Sequence, residues 1–149
     1  IAEDGDAIHE QELKTRSNNL YEASSKTVLF IDDDPIVLES IKVRLETWGC
    51  KTLAAITLEH ALDLLEENEI EVDVIISDLR LATSIDGVQA IENLRIKLKN
   101  DVPGIILTGD TSPDRIKYIE NAGLSILHKP INASSLAEIL NEIFRKSLH

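Results

Sequence analysis

The chain has 149 residues, 43% of them hydrophobic, and a formal net charge of −12. That is enough apolar matter for one packed domain, and too acidic for nucleic acid or an anionic membrane surface to be the main partner. The single cysteine, Cys50, excludes an internal disulfide and a thiolate metal cage, usage that fits a reducing cytoplasm.

No apolar run approaches bilayer-spanning length, and no signal-peptide pattern is visible. Residues 1–26, "IAEDGDAIHEQELKTRSNNLYEASSK", are polar and carry no sustained apolar stripe. They read as a flexible linker with a short helix around Ile8 to Lys14, and His9 reads as a solvated linker histidine. The chain starts at Ile1 and contains no methionine, which reads as a fragment of something larger or a processed product.

From Thr27 onward, strand and helix patterns alternate. Strands are expected at Val28–Ile31, Thr52–Ala55, Val72–Ser77, Gly104–Leu107 and Ser125–Leu127. Three are short, nearly continuous apolar runs, the pattern of parallel strands covered on both faces. Val37, Ile41, Arg44–Leu45 and Trp48 share one helical stripe, and Val88, Ile91, Leu94 and Leu98 share another. The last helix aligns Leu136, Ile139, Leu140, Ile143 and Phe144. Asp34-Pro35 and Ser112-Pro113 place a capping residue before a proline at the first helical position, and Gly49 and Gly123 mark helix ends. Five such βα units imply a doubly wound α/β sheet with helices on both faces.

In an open parallel sheet the ligand site lies outside the carboxyl ends of the strands. Asp32 and Asp33 follow the first strand, Asp78 the third ("DVIISDLRL"), Thr108 the fourth ("IILTGDTS"), and Lys129-Pro130 the fifth ("ILHKPI"). A lone aspartate at a strand end is ordinarily a turn or cap residue; three acids, a hydroxyl and an ammonium on one edge are not accounted for that way. Two carboxylates about 4 Å apart repel by roughly 4 kcal/mol at an effective dielectric near 20. Such a cluster raises a pKa or recruits a cation. One lysine does not neutralise three acids, and hard all-oxygen ligation suits Mg²⁺, which shares phosphate ligands. With Lys129 and Thr108 alongside, the site suits a phosphoryl group attacked in line by Asp78.

These residues resemble the receiver domains of two-component response regulators over about Thr27 to Leu148. The resemblance rests on Asp32/Asp33, Asp78, Asp86-Gly87, Thr108-Gly109 and Lys129-Pro130, in that order. It implies a flavodoxin-like sheet of strand order 2-1-3-4-5, with residues 27–149 as the receiver. It implies Asp78 as phosphoacceptor from a phosphohistidine, and Mg²⁺ held by Asp33, Asp32, Asp78 and the backbone carbonyl of Arg80. Lys129 would pair with Asp78 across a cis Lys129-Pro130 bond. Thr108 would shift toward the phosphoryl group, and Gly109 would leave access to it. The implied partner is a histidine kinase domain or a histidine phosphotransfer protein, met in the cytoplasm, with no nucleic acid or membrane contact by this fragment. Such a domain catalyses its own phosphorylation and slow autodephosphorylation.

The sequence departs from the family pattern in four places. "DLRLATSIDG" is one residue longer than the common loop and lacks its Met-Pro pair. Arg80 is free to lie over the site or to face solvent. Ile126 stands where many receivers have an aromatic residue, and no output domain follows before His149. The wording "RLATSIDG", "LTGDTS" and "ILHKP" resembles receivers at the end of hybrid sensor kinases, whose parent would be membrane-anchored. Two other readings compete: a degenerate receiver that binds partners without phosphorylation, and a haloacid-dehalogenase-type phosphatase using Asp32-x-Asp34. The phosphatase lacks its second acidic pair, since "KPINASSLAE" offers none before Glu138. An FMN site would set three aspartates against a phosphate. Trp48 and Cys50 read as packing residues, His60 and His128 as solvated, and Glu66, Glu67, Glu69 and Glu71 as a solvated run.

Overall fold

Apolar runs without alternation can bury both faces only inside a sheet, and the chain uses them so. In a computed structural model describing residues 25–147, the elements are β1 (Thr27–Ile31), α1 (Pro35–Thr47), β2 (Lys51–Ala55), α2 (Leu58–Asn68), β3 (Val74–Asp78), α3 (Gly87–Leu98), β4 (Gly104–Thr108), α4 (Pro113–Asn121), β5 (Ser125–His128) and α5 (Ala133–Ser147). All strand pairings are parallel, and the order is 2-1-3-4-5, the expected doubly wound fold. The expected helix near Ile8 to Lys14 and the reading of His9 lie outside the described residues. Ser25 and Lys26 already join the fold, with the Ser25 amide bonded to Gly49 O and Lys26 O accepting from Lys51.

Successive strand residues part between two cores. Val28, Phe30, Val74, Ile76, Ile105 and Leu107 face α1 and α5, meeting Leu38, Leu45, Leu140 and Phe144. Leu29, Ile31, Ile75 and Ile106 face α2, α3 and α4, meeting Leu65, Ile91, Leu94 and Ile119. Each fully buried side chain of this size contributes about 1.5–3 kcal/mol of transfer free energy. Ile41 and Leu45 of the expected α1 stripe are buried, and Val37 and Trp48 pack partly buried on the same core, but Leu38 is buried beside them and Arg44 is exposed. β3 starts two residues later than its apolar run, because the Asp73 carboxylate turns to accept the Thr27 amide at 2.8 Å.

Helix ends follow the polar residues beside them. Asp34 caps α1 by accepting from the Ile36 amide, and Thr57 caps α2 by accepting from His60. Gly49 and Gly123 adopt positive φ as helix stops. Ser112 makes no side-chain cap bond to α4; its amide instead donates to Asp110 at 2.8 Å. α2 and α3 end on left-handed Glu69 and Lys99. Cys50 is buried between α1 and β2, and Trp48 packs against the same core. Burial, with Asp73 nearby, pushes the Cys50 thiol up to about 11.

Candidate functional site

Parallel register brings the strand ends to one level. Ile31 pairs with Ser77, so Asp32, the residue that follows β1, lies level with Asp78. Asp78 pairs with Leu107, and the ladder continues where the Lys129 amide donates to Thr108 O at 2.9 Å. The fold thus gathers side chains that are far apart in sequence. Carboxylate oxygens of Asp32, Asp33 and Asp78 all lie within 4.8 Å of one another. Lys129 Nζ stands 3.1 Å from Asp78 Oδ2, and the Lys129-Pro130 bond is cis.

Asp32 carries the sharpest electrostatic signature. It is fully buried; one oxygen accepts the Asp34 amide at 2.9 Å, while Oδ2 has no protein partner. Burial pushes its carboxyl up to about 6, with the Asp78 and Asp33 charges acting in the same direction and the Asp34 amide and Lys129 opposing them. Asp33, by contrast, is exposed, so the acid pair is split between interior and surface.

Asp78 is held from behind. Ser77 Oγ donates to its backbone carbonyl at 2.9 Å. The first turn of α3 presses onto the same carbonyl at Gly87, where any Cβ would overlap the Asp78 oxygen. This is a physical reason for a glycine after Asp86. The Gly87 amide donates to Leu79 O, and Arg80 and Asp86 form an isolated antiparallel bridge. The loop 79–86 is therefore closed at its base, with Leu81 and Ile85 packed against the core.

Asp78, Arg80, Thr108, Gly109, Asp110 and Lys129 line one cleft of about 380 Å³. Thr108 is buried, and its Oγ1 accepts the Asp110 amide at 2.9 Å, leaving the hydroxyl proton for a second acceptor. A Cβ at Gly109 would meet nothing within 4 Å, so the cleft is open there. The Arg80 side chain is exposed on this cleft. Asp110 is held below the usual carboxylate range by the Ser112 amide and hydroxyl, with Arg115 and Arg80 adding to the effect.

A family model for the response regulator receiver domain matches residues 28–141. The chain belongs to that family. This receiver is 31% identical over 121 residues to the transcriptional regulatory protein GlrR of Escherichia coli K12, matching 80% of this chain and 26% of that protein. It is 28% identical over 123 residues to the two-component response regulator ORR26 of Oryza sativa subsp. japonica, matching 82% of this chain and 21% of the relative. The chain thus spans about a quarter or less of these relatives' length. A crystal structure of a response regulator receiver domain protein from Clostridium thermocellum superposes with a TM-score of 0.70 at 30% identity, covering 83% of this chain and 98% of that one.

The receiver's donor set fits a hard divalent cation. It is oxygen-only, doubly flanked by carboxylates, and includes a buried oxygen with nothing to bond. Asp34 stands outside that cluster because its carboxylate caps α1, which removes the residue a phosphatase reading needs. His60 and His128 are exposed. Ile126 is half-buried against the second core. Glu66, Glu67, Glu69 and Glu71 are exposed, with Glu66 paired to Lys97 at 2.9 Å. No described helix is long and apolar enough to cross a membrane. Two features escaped the sequence reading: the Tyr118 hydroxyl bonded to Asp86 Oδ2 at 2.9 Å, and the capping box that Asp86 forms with Gln89. The "DGVQ" string carries a signal for the second; nothing local signals the first.

Proposed function

We propose that this receiver takes a phosphoryl group from a phosphohistidine onto Asp78. The observation that carries the reading is Asp78 lining the cleft, 3.1 Å from Lys129 and within 4.8 Å of the two other carboxylates. Asp78 attacks phosphorus in line, the P–N bond breaks, and its electron pair leaves with the imidazole. Lys129 holds the carboxylate in place and then faces the phosphoryl oxygens. The Thr108 hydroxyl donates to one of those oxygens. Asp32, Asp33, Asp78 and the backbone carbonyl of Arg80 would hold Mg²⁺, which supplies positive charge against the phosphoryl oxygens.

The donor is a histidine kinase domain or a histidine phosphotransfer protein, encountered in the cytoplasm. The loop wording "RLATSIDG" supports a parent of the hybrid sensor kinase kind. Incubation with Mg²⁺ and acetyl phosphate is expected to add one phosphoryl mass, stable to acid and labile to base, as read by intact mass. Asp78→Asn is expected to abolish the adduct. An adduct that survives in that variant would move the acceptor elsewhere, and a wild type that never acquires one would favour a phosphorylation-independent receiver.

A further inference from the structure

α4 is the helix least secured by packing. Ile119 is its one buried residue, against five in α3. Its N-cap, Ser112, makes no side-chain bond to the helix. Elements with little buried apolar contact open at the low end of a protein's local stability range. Against that background the Tyr118 hydroxyl counts for much: from α4 it donates to Asp86 Oδ2 at 2.9 Å, across 32 residues of sequence.

Asp86 is a junction. Its other oxygen accepts the Gln89 amide and starts α3, and its backbone bridges Arg80. Arg80 lines the cleft with Asp78. One aspartate therefore joins α4, the start of α3 and the loop that leaves the acceptor strand. Tyr118 is 37% exposed, so the bond is neither sealed in the core nor left wholly to water. Partial burial, the bond to Asp86 and that residue's charge keep the phenol protonated, pushing it up to about 12.

We propose that the Tyr118 hydroxyl is a positioning group that ties α4 to loop 79–86, so that the two segments order and loosen together when Asp78 changes state. This rests on the phosphoacceptor reading of Asp78. Asp78 and the loop move as neighbours in the chain, the Arg80–Asp86 bridge carries the displacement across the loop, and the hydroxyl hands it to α4. Position 126, an isoleucine, has no polar atom to serve as a comparable handle on β5.

The test is hydrogen exchange by mass spectrometry on wild type and Tyr118→Phe. Peptides spanning 79–86 and 113–121 are followed with and without Mg²⁺ and beryllofluoride, an acyl-phosphate mimic. Phenylalanine keeps the ring and removes only the hydroxyl. Without additions, the variant is expected to exchange about fivefold faster at 113–121, the scale of one hydrogen bond lost, with β3 unchanged. With beryllofluoride, both segments of the wild type are expected to respond, whereas the variant responds at 79–86 alone. A bond that merely stabilised α4 would speed basal exchange and leave the response at 113–121 in place. That outcome, or a wild type whose α4 ignores beryllofluoride while its loop responds, would overturn the proposal. Phosphorylation by acetyl phosphate, measured by intact mass on the same samples, separates the two readings. Without an adduct on wild type, the acceptor assignment fails and the coupling falls with it; with an adduct on both proteins, the exchange data judge Tyr118 alone.

Discussion

At the amino ends of the strands, Asp73 accepts the Thr27 amide at 2.8 Å and Arg95 Nε donates to Val102 O at 2.8 Å. At the carboxyl ends, Asp32 buries an oxygen with no partner beside two further carboxylates. The same strands run through both regions. At one end, polar groups are spent on each other, and each bond adds to stability. At the other, three carboxylates crowd together with one lysine between them, which costs stability until a further positive charge arrives. The comparison locates function without reference to motifs, because packing alone gives no reason to keep three acids there.

Substitutions at the two ends should therefore have opposite signs. Asp32→Asn should give the largest effect in Mg²⁺-free buffer, a gain of about 2 kcal/mol at pH 8 by urea denaturation. The sign follows from a carboxyl whose folded pKa, about 6, lies above the value of an unfolded aspartate. Folding then favours the protonated form, so its contribution is fully present below about pH 4 and is lost as pH rises through 6. The gain should accordingly vanish near pH 4. Mg²⁺ should stabilise wild type by about 2.7 kcal/mol at a hundredfold excess over its dissociation constant, and the Asn variant much less. An Asp32→Asn protein no more stable than wild type at pH 8 would remove the contrast between the ends.

Asp73→Ala should act the other way, destabilising by about 1 kcal/mol because the Thr27 amide is left without an acceptor. Its denaturant midpoint should fall with the slope unchanged, and Mg²⁺ response should be retained. The smallest expected effect is at Glu69, the left-handed end of α2 (φ 44°). Glu69→Gly relieves that conformation and removes a negative charge from the helix's negative end, for a gain of about 0.5 kcal/mol in thermal or urea unfolding. Any change in phosphorylation rate from these last two variants would blur the separation of stability from function.

Much of the fold was legible because its strands are unbroken apolar runs: "TVLFI", "VIIS" and "GIIL" can only be covered on both faces. The acids, hydroxyl and lysine were legible because each sits one step past such a run. What escaped depends on choices that periodicity does not make. Ile36, Val37 and Leu38 are all apolar, and only packing decides that Leu38 turns inward. Asp73 falls inside the strand expected at Val72–Ser77, yet it precedes β3 and its side chain serves β1. Helix ends at Glu69 and Lys99 carry no glycine to announce them. Loop 79–86 closes through backbone pairing, and Tyr118 reaches Asp86 from another element altogether; neither leaves a mark in local sequence.

The enclosed Cys50 has a practical corollary. A thiol that burial pushes up to about 11 stays protonated at neutral pH, and with 5% exposure it offers little surface to a bulky electrophile. Maleimide dyes would pass it by, so a second cysteine engineered onto the solvent side of α4 would take up label selectively. Motion at that helix could then be watched by fluorescence in the native background, with no need for a cysteine-less parent.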